Sequence, residues 1–152
     1  MHKMTRAQIR EHIFKLLFRV EFISMDEMPE QIARYMENPP TNNEEDIAEE
    51  PIDIPAADAL YITQKYDKIV AMIPKLDELI DSAAKGWKAA RLGKVDLTIL
   101  RLAVYEMKYD EDIPVGVAIN EAVELAKKFG QDESPSFING ILAKLAKQTD
   151  NE

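Results

Sequence analysis

The chain of 152 residues has no cysteine. That absence removes a disulfide framework, a zinc site built on thiolates and a cysteine nucleophile. No apolar run approaches the roughly 20 residues that a membrane span needs. The N-terminus has no continuous apolar segment followed by a small-residue cleavage site, so no signal peptide is read and a cytoplasmic location is expected. Glycine is scarce, with five scattered residues, and none form a phosphate-cradling loop. Gly-x-Ser-x-Gly is missing as well. The two histidines, His2 and His12, lack the Glu-x-x-His spacing of a helical metal site and read as surface residues. Neither an enzyme, a metal nor a cofactor is expected.

The sequence does have the balance of an ordinary soluble globular protein, 46% apolar and 31% charged residues. Its length suits one domain spanning residues 1–152. The formal net charge of −9 argues against binding nucleic acid by overall attraction. The charge is uneven, however. From Met1 to Ser24 the cations Lys3, Arg6, Arg10, Lys15 and Arg19 face only Glu11 and Glu21. From Met25 to Asp58 acids dominate and only Arg34 opposes them. Within that region, Asn38 to Pro55 holds four prolines and a dense acidic run, and it reads as a solvated loop.

Helical periodicity runs through the rest. Thr5 to Ile23 carries Ile9, Ile13, Leu16, Leu17, Val20 and Ile23 on one stripe, with Thr5 as its cap. Phe14, Phe18 and Phe22 fall on a second stripe nearly opposite. Phe14 and Phe22 are expected in the core. Asp26 to Met36 predicts a second helix, and Ala56 to Met72 a third, with Leu60, Ile62, Tyr66 and Ile69 on its apolar face. Pro74 restarts the chain as a fourth helix, which Gly86 ends. Val95 to Tyr109 is apolar around most of its circumference and should be the central helix. A sixth helix follows Pro114 and is closed by Gly130, and Ser134-Pro135 opens a seventh, to about Gln148. No sustained period-two alternation occurs. The fold class is all-α, roughly seven helices packed as a compact bundle or two sub-bundles.

Two features stand above this background. Arg6 and Arg10 are four apart on the first helix, with Lys3 just upstream, and a helix N-terminus adds partial positive charge. Together they suggest a small anion site. The alternative is a solubilising face. Near the other end, Ala118, Ala122 and Ala126 form a smooth stripe that allows close approach of a neighbouring helix. After Phe137, Asn139-Gly140 would signal a hairpin between strands. Here it lies inside a helix, where glycine costs roughly 1 kcal/mol relative to alanine. The expected reason is close approach of a binding partner or of another helix.

Several motifs are similar to one family. They are Gly86-Trp87, Arg91-Leu92-Gly93-Lys94-Val95-Asp96, Ile99-Leu100-Arg101-Leu102-Ala103-Val104-Tyr105-Glu106-Met107, Ile113-Pro114, Ala118-Ile119-Asn120-Glu121-Ala122-Val123-Glu124-Leu125-Ala126-Lys127 and Phe137-Ile138-Asn139-Gly140-Ile141-Leu142. Together they resemble the NusB family of transcription antitermination factors, densely from about Lys85 to Leu145 and loosely from Thr5 to Phe18. The resemblance implies a non-enzymatic, RNA-binding, all-helical domain. It implies NusE, also a small-subunit ribosomal protein, as partner, and boxA-type single-stranded RNA as target. It further implies a place in the RNA polymerase antitermination complex that promotes read-through in ribosomal RNA synthesis.

Carried over by position, Arg6 and Arg10 match the family's arginine-rich start, with Lys3 beside them. Phe18 matches an RNA-facing aromatic. Asp132, Ser134 and Phe137 match the loop and helix start that complete the RNA surface, and Asp96 matches an acidic NusE contact. Where many members carry several arginines, this chain has Arg6-Ala7-Gln8-Ile9-Arg10. Fewer cations imply weaker phosphate attraction and greater dependence on the partner. The alternatives are an RNA-recognition module like the domain that precedes some ribosomal RNA cytosine methyltransferases, and a helical adaptor that binds only protein. A homodimer covering the same basic and aromatic face is also open.

Overall fold

The computed structural model describes residues 4–24, 26–37, 54–84 and 92–150, with side chains to residue 148. Lys3, Gly86 and most of the acidic 38–55 stretch lie outside the described residues. Among the described residues there are seven helices and no strand: α1 Arg6–Arg19, α2 Met28–Glu37, α3 Ala56–Ala71, α4 Ile73–Ala83, α5 Lys94–Tyr109, α6 Val115–Phe129 and α7 Ser134–Asp150. The all-α expectation holds. The chain forms two compact units, Met1–Asp67 and Lys68–Glu152, whose boundary falls within α3.

In the first unit, α1 begins with a reciprocal cap. The Thr5 hydroxyl accepts from the Gln8 N–H at 3.1 Å, and the Gln8 side-chain oxygen accepts from the Thr5 N–H at 2.8 Å. Two backbone donors that would otherwise lack partners are thereby satisfied. Regular helix stops at Arg19, four residues before the expected Ile23. The chain then tightens into turns, with the Val20 N–H reaching Leu17 O at 3.1 Å and the Phe22 N–H reaching Arg19 O at 3.0 Å. Ile13, Leu16 and Leu17 are buried as the sequence pattern requires. Each such side chain contributes about 1.5–3 kcal/mol. Leu60 departs from its expected core role: it is 60% exposed while Ile62 on the same helix is fully buried.

His12 also departs from expectation. It is buried, and its Nδ1 lies 2.6 Å from the Tyr35 hydroxyl, which joins α1 to α2. Burial, and then the nearby Lys15 ammonium, hold the imidazole below its ordinary value of 6.5, while Glu11 opposes them. Burial pushes the Tyr35 phenol upward, so it stays protonated and can donate to a neutral imidazole. Sequence periodicity could not reveal this pair, because the two residues are 23 apart on different helices.

The second unit is built around α5, which packs against α4, α6 and α7. Every residue from Leu97 to Glu106 is buried, as the all-round apolar pattern implied. Arg101 forks onto both carboxylate oxygens of Asp77, each at 2.8 Å, and ties α5 to α4. The bidentate geometry is the strong form of such a pair. The α6 alanine stripe is buried, with Ala118, Ala122 and Ala126 at 2% exposure or less, and α6 packs on both α5 and α7. Gly130 ends α6 by close approach, not by a left-handed backbone. A Cβ there would lie 2.6 Å from Ser134 Cβ and 2.8 Å from Ala126 O.

Two outcomes are expected. Gly130→Ala should destabilise the protein by about 1–3 kcal/mol, because backbone must move. Gly140→Ala meets no described atom within 4 Å and should stabilise it by roughly 0.5–1 kcal/mol through helix propensity. Urea denaturation of both variants measures this. The second outcome concerns pH. Since the folded state lowers the His12 pKa, that residue's contribution to stability is complete above pH 6.5 and is lost as pH falls through the folded value. The unfolding midpoint should therefore drop on acidification from pH about 7.5 to about 5.5, and drop less in His12→Gln.

Candidate nucleic-acid interface

Successive steps of four on a helix advance a side chain by only about 40°. Arg6, Arg10, Phe14 and Phe18 therefore form one slanting ridge on α1, and Phe22, in the turns after Arg19, follows it, so that two cations are followed by three aromatics. The structure divides this ridge by burial. Arg6 is exposed, whereas Arg10 is only 5% exposed and is set into the protein. The two arginines thus do not form the shared exposed anion site that their spacing suggests. Phe14 is buried and Phe18 half-buried, but Phe22 is 61% exposed, so its expected core role is corrected.

The rings are in mutual contact. Phe14 and Phe18 lie 6.1 Å apart with a 29° interplanar angle, and Phe18 and Phe22 lie 5.1 Å apart at 61°. Beside them the Arg19 guanidinium sits 5.1 Å above the Tyr35 ring. That ring is held by the His12 bond at its hydroxyl, so the α1–α2 pair places a cation at the aromatic end of α1.

In the second unit, taken by itself, the α6–α7 connection carries three more of the residues expected at the site. Ser134 is 4% exposed, and its hydroxyl accepts from the Gln131 N–H at 3.0 Å while the Ser134 N–H donates to Gln131 O at 3.0 Å. The hydroxyl is thus used inside the turn. Asp132 is exposed and Phe137, one turn into α7, is half-buried. Asp132 and Phe137 are the residues of this group that reach solvent, and Ser134 sets the loop that carries Asp132. Asp96 is half-buried in the first turn of α5, where a carboxylate complements the helix dipole.

Sequence reasoning did not single out one arrangement. Ile119, Asn120 and Val123 of α6 and Pro135, Ser136 and Asn139 of α7 line an open groove of about 500 Å³. Two exposed carboxamides thereby share a surface with an apolar floor. Both belong to the motifs quoted above, but their proximity depends on how α6 and α7 pack. Gly140 lies on an exposed face, and no described helix approaches it. Among the described residues no group of acids and histidines could hold a metal ion, and no helix is long and apolar enough to cross a membrane.

Comparison with known proteins bears on the whole arrangement. The NusB family model matches residues 7–147. A transcription antitermination protein NusB from Agathobacter rectalis is 49% identical over 145 residues, covering 94% of this chain and 100% of that protein. The crystal form of T. maritima NusB superposes with a TM-score of 0.76 at 31% identity, covering 97% of this chain and 94% of that one. A NusB chain solved with NusE and double-stranded RNA gives a TM-score of 0.69 at 23% identity, over 95% of this chain and 99% of that one, which bears on the fold alone. With the motifs of α5 to α7, the helix order and nearly the full length all matched, the chain belongs to the NusB family.

Proposed function

We propose that the protein is a cytoplasmic, non-enzymatic transcription antitermination factor. It binds boxA-type single-stranded RNA together with a NusE-type ribosomal protein and works within the antitermination complex on RNA polymerase. The observation that carries this reading is family membership across residues 7–147, with a near-half-identical relative named for antitermination.

The residues take distinct roles in this reading. Single-stranded RNA is held by cations along its backbone and by aromatic faces under its bases. Arg6, exposed at the start of α1, meets phosphate, and Lys3 adds to it. Arg10 is a positioning residue at its buried site. Phe18 and Phe137 offer ring surface to bases, and the exposed Asp132 carboxylate accepts hydrogen bonds from base amino groups. Ser134 fixes the loop that presents Asp132. Asp96 contacts the protein partner. With so few cations exposed on α1, the protein partner must supply part of the affinity.

A gel-shift with boxA RNA and a scrambled RNA, with and without NusE, tests this. Binding to boxA should tighten when NusE is added, and scrambled RNA should bind more weakly. Phe137→Ala should weaken the ternary complex by about 1–3 kcal/mol, the usual worth of one aromatic–base stack. Equal binding of boxA and scrambled RNA in the presence of NusE would rule the reading out.

A further inference from the structure

We propose that Phe22 extends the RNA-binding ridge of α1 by one further base-stacking position, beyond the half-buried Phe18. The inference rests on the RNA-binding reading above and adds a contact that the helical stripe alone placed in the core. An isolated apolar side chain on a protein surface is ordinary. Phe22 is not isolated. It is the outer member of a row of three rings whose burial falls steadily along the chain, from 4% exposure at Phe14, through half-burial at Phe18, to 61% at Phe22. The inner rings anchor the outer one. At 5.1 Å and 61°, the Phe18 contact has the edge-to-face geometry that aromatic pairs favour, so the Phe22 ring is held before any ligand arrives. Its exposed surface can then accept a base with little loss of side-chain freedom.

Charge indicates the occupant. The chain as a whole carries −9, yet residues 1–24 hold five cations and two acids. Arg19, three residues before Phe22, is positioned over the Tyr35 ring. Arg19 and the exposed Arg6 belong to the same helix as the inner rings, and cations together with ring faces suit a polyanion with flat bases. By the 1.5 Å rise per residue, α1 alone spans roughly 20 Å from Arg6 to Arg19, so the ridge can follow several nucleotides.

The test uses the full-length protein with NusE and boxA RNA, comparing wild type with Phe22→Ala, Phe22→Leu and Phe22→Trp. Thermal melts should be unchanged, since the side chain is mostly outside the core. Phe22→Ala and Phe22→Leu should each lose about five- to a hundred-fold in RNA affinity, the range for one stacked base. Phe22→Trp should retain it, and its added fluorescence, over that of wild type, should be quenched by RNA. The loss in Phe22→Leu separates stacking from simple apolar contact. If wild type binds boxA and every variant binds equally well, the Phe22 proposal fails while the RNA-binding reading stands. If Phe22→Ala abolishes a homodimer seen by light scattering and leaves RNA affinity intact, the occupant is a second copy and the proposal is overturned. If wild type with NusE does not prefer boxA, both readings fall together.

Discussion

The proposed RNA surface of α1 depends on one constraint: the helix must bury one stripe and present another. Ile13, Leu16 and Leu17 are buried and anchor the helix, while Arg6 and the outer aromatics stay at the surface. The reciprocal Thr5–Gln8 cap starts the helix just ahead of Arg6, and the His12–Tyr35 bond ties its middle to α2. A chain of net charge −9 has no general attraction for a polyanion. Local geometry must therefore supply what overall charge does not. Positioned cations and rings do so over a few residues, within the roughly 8–10 Å at which charges act in physiological salt.

In the second unit a different device sets the α6–α7 connection. Gly130 and Ser134 meet so closely that only a glycine fits, and the serine hydroxyl is consumed inside the turn. Asp132 is thereby held at the surface, and α7 starts in a fixed direction with Phe137 on its first turns. The Arg101–Asp77 fork and the alanine stripe of α6 hold the helices beneath.

Most of the fold was legible in the sequence because helices announce themselves by local signals. Thr5 as a cap, Pro74 as a restart, Gly130 as an end and the all-round apolar α5 each depend on neighbours a few residues away. What could not be read depended on residues far apart in the chain. A helical wheel placed Phe22 on the Phe14 stripe, but regular helix ends at Arg19 and the ring emerges at the surface. It placed Arg10 with Arg6, but not the surroundings that bury Arg10. His12 looked like a surface residue until Tyr35 covered it. Ser134 reads from its motif as part of an RNA surface, but its hydroxyl is buried and used inside the turn, a distinction that sequence motifs do not carry.

The central claim is that a small number of positioned cations, not overall charge, governs attraction to RNA. The salt dependence of the ternary complex with boxA RNA and NusE tests it most directly, for wild type and for Arg6→Ala. Each phosphate neutralised on a single strand adds about 0.7 to the slope of log affinity against log salt. The account predicts a shallow wild-type slope that falls by about 0.7 in Arg6→Ala. An unchanged slope in Arg6→Ala would contradict it.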